Sequence, residues 1–171
     1  MEIIDCIMTR RSIRKYRQKE IPDAKLRTML ECAMMAPSAG NSQPWQFVVI
    51  RDKEILRKLA TIHPYATMAG QAGLAILVCG DESKERFSGF FPQDCAAASQ
   101  NILLSAHGLG LGAVWAGIYP ENGRVMAFQE EFHLPKGIIP FSLILVGFPD
   151  ETKDSQNRFD PGRVHLDSWE G

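Results

Sequence analysis

A chain of 171 residues, 45% hydrophobic and 23% charged, has the size and composition of one globular domain, which excludes a disordered or fibrous polymer. Nineteen basic side chains against twenty acidic ones leave a net charge of −1, so nothing demands a polyanionic partner such as nucleic acid. No apolar run approaches the roughly 18 residues of a membrane span, and the acidic start Met1-Glu2-Ile3-Ile4-Asp5 lacks a signal peptide's basic end, so a cytoplasmic address without a membrane partner is expected.

Without repeats, low-complexity tracts or a long linker, the chain reads as a single domain over residues 1–171. A first helix stops at a basic stretch in which six basic residues and no acidic one fall between positions 10 and 19: Arg10, Arg11, Arg14, Lys15, Arg17 and Lys19. Three readings of this stretch stay open. It is a solvated helix end, because cations suit a helix C-terminus; or an oxyanion site, because guanidinium forks offer paired donors to phosphate and Ser12 adds a hydroxyl; or a nucleic-acid contact, against which the net acidity of the chain argues.

Pro22 and Asp23 open a second helix, whose apolar residues Leu26, Met29, Leu30, Ala33 and Met34 follow one buried face. It is expected to end near Ala36, since Pro37 lacks an amide hydrogen and restricts the residue before it. The loop 37–44, bounded by two prolines, is either a plain connector or a stiffened set of amide and hydroxyl partners able to read the polar edge of a ring system. Residues 45–50 are rich in strand formers. An amphipathic helix is predicted over 53–62, and the unbroken apolar run 74–79 predicts a strand covered on both faces. The helix over 93–107 is apolar around much of its circumference, which places it in the core or in a subunit interface.

Gly108-Leu109-Gly110-Leu111-Gly112-Ala113 matches the dinucleotide fingerprint in letters. Its context is inverted, because that fingerprint needs a strand before it and a helix after it. The glycines therefore read as a helix stop and a close-packed turn. A short strand over 113–116, a surface helix over 125–132 and a last strong strand over 141–148 complete the mixed pattern. The tail from Asp150 is polar, with anchors at Arg158, Phe159, Arg163 and Trp169. Cys6, Cys32, Cys79 and Cys95 form no C-x-x-C pair and read as small buried thiols. The four histidines are scattered, no metal site is expected, and no nucleophile or general base stands out as a catalytic residue.

Arg10-Arg11-Ser12-Ile13-Arg14-Lys15-Tyr16, followed by Ala36-Pro37-Ser38-Ala39-Gly40-Asn41-Ser42-Gln43-Pro44-Trp45, resembles the nitroreductase family of FMN-dependent oxidoreductases. Asp94 with Gln100-Asn101, the glycine run from Gly108, Trp115-Ala116-Gly117 and the tail from Arg158 extend the resemblance over essentially the whole chain. The resemblance implies an α+β fold, a three-layer sandwich whose mostly antiparallel sheet is enclosed by helices. It also implies an intertwined homodimer with FMN at the interface, the helix 93–107 packing on its copy.

By motif match, Arg10 and Ser12 would hold the FMN phosphate with Arg11 alongside, and Arg158 would return to it. Arg14 would lie near N1 and O2 of the ring, where positive charge stabilises reduced flavin. Pro37, Ser38, Ala39 and Asn41 of the other subunit would line the ring. The backbone of Ala116 and Gly117 would face N5 and O4, with Trp115 nearby. The implied activity is hydride transfer from NADH or NADPH to a small-molecule acceptor, a nitroaromatic or quinone, by ping-pong turnover. Reductive dehalogenation, flavin fragmentation and a non-catalytic flavin-binding or redox-sensing module remain alternatives on the same fold. Two departures from the family pattern stand out. Gln156 precedes Asn157-Arg158 where longer members often carry two basic residues, and the segment 81–92 is short, leaving a more open acceptor pocket.

Overall fold

The run 74–79 forms the middle of a sheet, and the other elements follow from how its two faces are covered. The computed structural model describes residues 1–169; the last two positions of the expected 1–171 domain lie outside the described residues. In chain order the elements are α1 (Ile3–Thr9), β1 (Tyr16–Arg17), α2 (Asp23–Met34), β2 (Trp45–Ile50), α3 (Lys53–Ile62), β3 (Leu74–Asp81), α4 (Phe91–Gly108), β4 (Gly112–Gly117), α5 (Asn122–Glu131) and β5 (Ile138–Pro149).

β5 is the hub of the five-stranded sheet, pairing antiparallel with β1, β3 and β4, while β2 pairs antiparallel with β3. Strand alternation sorts the apolar residues into two cores. Leu74, Ile76 and Val78 of β3, with Ile144 and Val146 of β5, pack against Met29 and Ala33 of α2 and Ile102 of α4. Ala75, Leu77 and Cys79, with Leu143 and Leu145, pack instead against Leu56 and Leu59 of α3 and Phe128 of α5. The result is an α+β fold of three layers, helices on both faces of an antiparallel sheet. Each fully buried Leu, Ile or Phe contributes about 1.5–3 kcal/mol by leaving water.

Several boundaries differ from the sequence expectation, each for a local reason. The helix expected from 93 begins at Phe91, because Pro92 suits a first turn in which no amide donor is needed. The helix expected from 125 begins at Asn122, since the Glu121 carboxylate accepts from the N–H groups of Gly123 and Arg124. α2 ends at Met34, two residues before Ala36. The last strand starts at Ile138, as Ile138 and Ile139 find partners in Asp81 and Gly80 at the end of β3. β1 arises inside the basic stretch, where Tyr16 and Arg17 pair with Pro149 and Phe148. Cys6, Cys79 and Cys95 are buried, whereas Cys32 is only half-buried, against expectation.

The glycine run behaves as a helix stop followed by a turn: α4 ends at Gly108, Gly110 adopts φ +73°, and β4 starts at Gly112. A Cβ at Gly112 would lie 2.7 Å from Ile13, so the missing side chain lets the basic segment lie directly on β4. Gly80 does the same for Phe91, whose ring would stand 2.3 Å from an added Cβ. This contact seats the start of α4 on the sheet. Among the described residues no helix is long and apolar enough to cross a membrane.

Candidate functional site

α1 ends at Thr9 with Arg10 as its cap, and the chain turns to lie along β4, where Ser12 makes a parallel bridge to Ala113 and Ile13 N–H donates to the Ala113 carbonyl at 3.0 Å. The start of the tail holds this segment from the other side. Glu151 accepts from the backbone N–H groups of Arg14 and Lys15, and these bonds hold its carboxyl below the usual range. Lys153 Nζ donates to the Ser12 carbonyl at 2.7 Å. Arg11 is fixed by bonds to the carbonyls of Met8, Arg10 and Asp154. Arg11, Ser12, Arg14, Lys153, Gln156 and Arg158 line a cavity of about 550 Å³.

This concavity is rich in cations. Arg10 Nη1 and Arg11 Nη2 are buried and have no hydrogen-bond partner among the described residues. Burial, then the neighbouring charges of Arg11 and Arg158, pushes the Arg10 guanidinium below its ordinary value. Arg11, Arg14, Lys153 and Arg158 outnumber Asp154, the one acid on the cavity wall, and such an excess of cations favours a ligand that brings negative charge. Of the predicted phosphate residues, Arg11, Ser12 and Arg158 line the cavity, and Arg10 does not, although its charge is felt beside those of Arg11 and Arg158.

Arg14 also lines a second cavity of about 380 Å³, with Pro64, Tyr65, Met68, Trp115, Ala116 and Gly117. The polarity of its β4 wall follows from the ladder. Ile118 N–H donates to Phe141 across β5, so alternation turns the N–H and C=O groups of Ala113, Trp115 and Gly117 away from β5. The Ala113 carbonyl is taken by Ile13, and the Gly117 carbonyl accepts from His63 Nε2 at 2.8 Å and Arg124 Nη1 at 2.9 Å. Between these points the outer edge of β4 offers Trp115 and Gly117 to the cavity. A Cβ at Gly117 would meet nothing within 4 Å. Neither packing nor positive φ explains that glycine, which leaves room for a flat ligand against the backbone.

The loop 37–44 is well ordered by its own bonds. Gln43 N–H donates to Ser38 Oγ at 3.0 Å, and Gln43 Nε2 donates to Asn41 Oδ1 at 3.0 Å. Gly40, Asn41 and Gln43 all have φ near +50° to +60°. A glutamine in that region is strained, and such strain clusters at binding loops. Ala39 N–H donates to Asp94 Oδ1 at 2.9 Å, while the buried Oδ2 of Asp94 has no partner among the described residues. Pro37, Ser38, Ala39 and Asn41 are thus tied to the start of α4. The arginine segment is tied to its end, where Thr9 Oγ1 and His107 Nε2 lie 2.9 Å apart. Thirteen residues of helix separate Asp94 from His107, about 20 Å at 1.5 Å per residue. One chain does not bring the loop and the arginines together.

Sequence reasoning missed His63, Tyr65, Arg124, Glu151 and Lys153. His63 was set aside because no local spacing marks it, and its partner Gly117 lies 54 positions away. The departure noted at Gln156 is offset by position: Lys153 brings a second cation from the tail to the cavity wall.

Comparisons with known proteins find likeness over nearly the whole chain. The family model described as "Nitroreductase family" matches residues 7–63 and 62–148. A relative from Methanothermobacter thermautotrophicus, provisionally named an NADH dehydrogenase/NAD(P)H nitroreductase, is 48% identical over 99% of this chain and 88% of its own length. The crystal structure of a provisionally named NADH oxidase from Clostridium acetobutylicum has a TM-score of 0.92 at 43% identity, over 98% of this chain and 100% of the other. A provisionally named nitroreductase from Desulfovibrio desulfuricans, solved in complex with FMN, has a TM-score of 0.81 at 33% identity, over 92% of each chain. A fold of three layers, an arginine segment laid on β4 and a match over nearly the full length lead to one conclusion: the chain belongs to the nitroreductase family of oxidoreductases.

Proposed function

We propose that this chain binds FMN across its two cavities and works as a homodimer that moves electron pairs from NADH or NADPH to a small organic acceptor, a nitroaromatic or a quinone, by ping-pong turnover. The observation that carries the proposal is the pair of buried, unpartnered guanidinium nitrogens on Arg10 and Arg11. A buried donor without an acceptor costs about 1–3 kcal/mol. A phosphate monoester removes that cost and brings acceptor oxygens to Ser12 and Arg158 as well.

The residues present fit the group at both ends. Arg10, Arg11, Ser12 and Arg158 hold the phosphate. Arg14, which lines both cavities, links that end to the ring. Trp115, Ala116 and Gly117 present a backbone edge with open space above it, suited to a planar heterocycle. When bound, FMN supplies reversible two-electron chemistry between the nicotinamide and the acceptor. The protein's part is to orient and to place charge: Arg14 sets a cation where negative charge grows on reduction.

Homodimer formation is supported by what one chain leaves bare. Met1, then Ile3, Ile4, Ile7 and Met8 on α1, Met34 at the end of α2 and Met35 just after it are exposed, and Met1, Ile3 and Met35 line a cavity whose wall includes Leu104 of α4. Exposed apolar side chains gathered around one cavity favour an interface. A second copy also supplies what the first lacks, since Pro37, Ser38, Ala39 and Asn41 lie at the wrong end of α4 to reach the arginines of their own chain.

The test is direct. Protein reconstituted with FMN turns yellow, bleaches anaerobically on adding NADH or NADPH, and recovers colour on adding a nitroaromatic or quinone. A bound flavin that no nicotinamide bleaches removes the oxidoreductase reading.

A further inference from the structure

We infer that His63 and Arg124 are positioning residues that clamp the Gly117 carbonyl and thereby fix the β4 edge on which the flavin ring is read. This rests on the FMN reading above. The chain's only handle at this point is the backbone, because Gly117 has no side chain and its Cβ position is empty. Both lone pairs of its carbonyl are taken, one by His63 Nε2 at 2.8 Å and one by Arg124 Nη1 at 2.9 Å.

The two donors come from different elements, His63 from the end of α3 and Arg124 from the first turn of α5. Each is itself held. His63 is fully buried, its ring edge-on to Phe128 at 6.2 Å. Its Nδ1 accepts from Tyr65 N–H at 3.1 Å, which assigns the ring proton to Nε2 and makes that nitrogen the donor to Gly117. Arg124 rests 5.3 Å from the centre of the Tyr65 ring and pairs with Glu121 at 3.6 Å. Tyr65 lines the ring cavity. The clamp therefore ties two walls of that cavity together and sets a guanidinium one side chain behind it. A cation so placed favours the anionic, two-electron-reduced flavin over the oxidised form.

Two measurements test this. In the apo protein, nitrogen NMR of the His63 ring at neutral pH should report a proton on Nε2; the Nδ1–H tautomer, which leaves Nε2 without one, overturns the clamp. In FMN-loaded protein, Arg124→Met should lower the equilibrium favouring reduced flavin about tenfold, a fall of roughly 30 mV in the two-electron potential, with Arg124→Lys falling between. A potential equal to the parent's in Arg124→Met refutes the electrostatic role. His63→Gln should shift the potential in the same direction; if it fails to fold, the Arg124 pair decides. A parent that takes up no FMN defeats the cofactor reading instead, and the NMR result still decides whether the clamp exists.

Discussion

Gly117→Ala separates a glycine kept for a ligand from one kept for the fold. An added methyl at 117 meets no atom within 4 Å in the free chain, and the backbone there is not in the left-handed region. Replacing glycine at a compatible position restricts the unfolded chain and stabilises by about 0.4–1 kcal/mol. The apo protein should therefore unfold at slightly higher denaturant concentration. With FMN the same methyl occupies the space against which the ring lies. Forcing one extra methyl into a filled site costs about 1–3 kcal/mol, or roughly 5- to 150-fold in Kd. Urea unfolding of apo protein and titration of flavin fluorescence give the two numbers on one sample. Gly80→Ala is the contrasting control: its methyl would press on Phe91 at 2.3 Å, so the apo fold itself should lose about 1–3 kcal/mol. Unchanged FMN affinity in Gly117→Ala, or an apo fold weakened as much as in Gly80→Ala, refutes the assignment of the β4 edge.

Arg10→Ala should weaken FMN binding by about 1.5–3 kcal/mol, the scale of a hydrogen bond to a charged group; an unchanged titration removes Arg10 from the site. His63 and His107 are both held below the ordinary histidine value, chiefly by burial. The unfolded chain takes up protons near pH 6.5 that the folded chain refuses, so apo stability is full above that pH and falls as pH drops below it. Urea unfolding at about pH 7.5 and 5.5 checks the sign, and the double variant His63→Gln, His107→Gln should flatten the difference. Sedimentation should find a dimer, and a folded, flavin-loaded monomer contradicts the interface.

The parts of this molecule that were legible in the sequence are those with a local cause. The run 74–79 announced a strand covered on both faces because no polar residue interrupts it. The inverted order of helix, glycines and strand argues against a dinucleotide loop. The arginine motif and the proline-bounded loop carried the family resemblance, and the nitroreductase family model matches both. What stayed hidden depends on contacts between distant positions. β1 has only two residues and exists because Phe148 and Pro149 pass beside Tyr16 and Arg17. Glu151 reaches Arg14 across 137 positions, and no periodicity encodes that. The buried guanidinium nitrogens of Arg10 and Arg11 depend on how the tail packs on the arginine segment, which spacing alone does not specify.

The distance along α4 makes one last prediction, about which chain supplies which half of a site. Consider an arginine-defective chain, Arg11→Ala, and a loop-defective chain, Asn41→Ala with Ser38→Ala, each poor in FMN binding as a pure dimer. If the halves belong to different chains, a mixed dimer has both defects in one site and neither in the other. Random reassociation of equal amounts makes about half the dimers mixed, so about one quarter of all sites should regain parental affinity. If loop and arginines of the same chain meet, every site in a mixed dimer keeps one defect and nothing is regained. The measurement is a flavin titration after the two variants are unfolded and refolded together, with each refolded alone as reference. A tight-binding fraction near one quarter requires the shared site; its absence, in samples that mass spectrometry shows to contain mixed dimers, returns the loop to its own chain and removes the reason for a dimer.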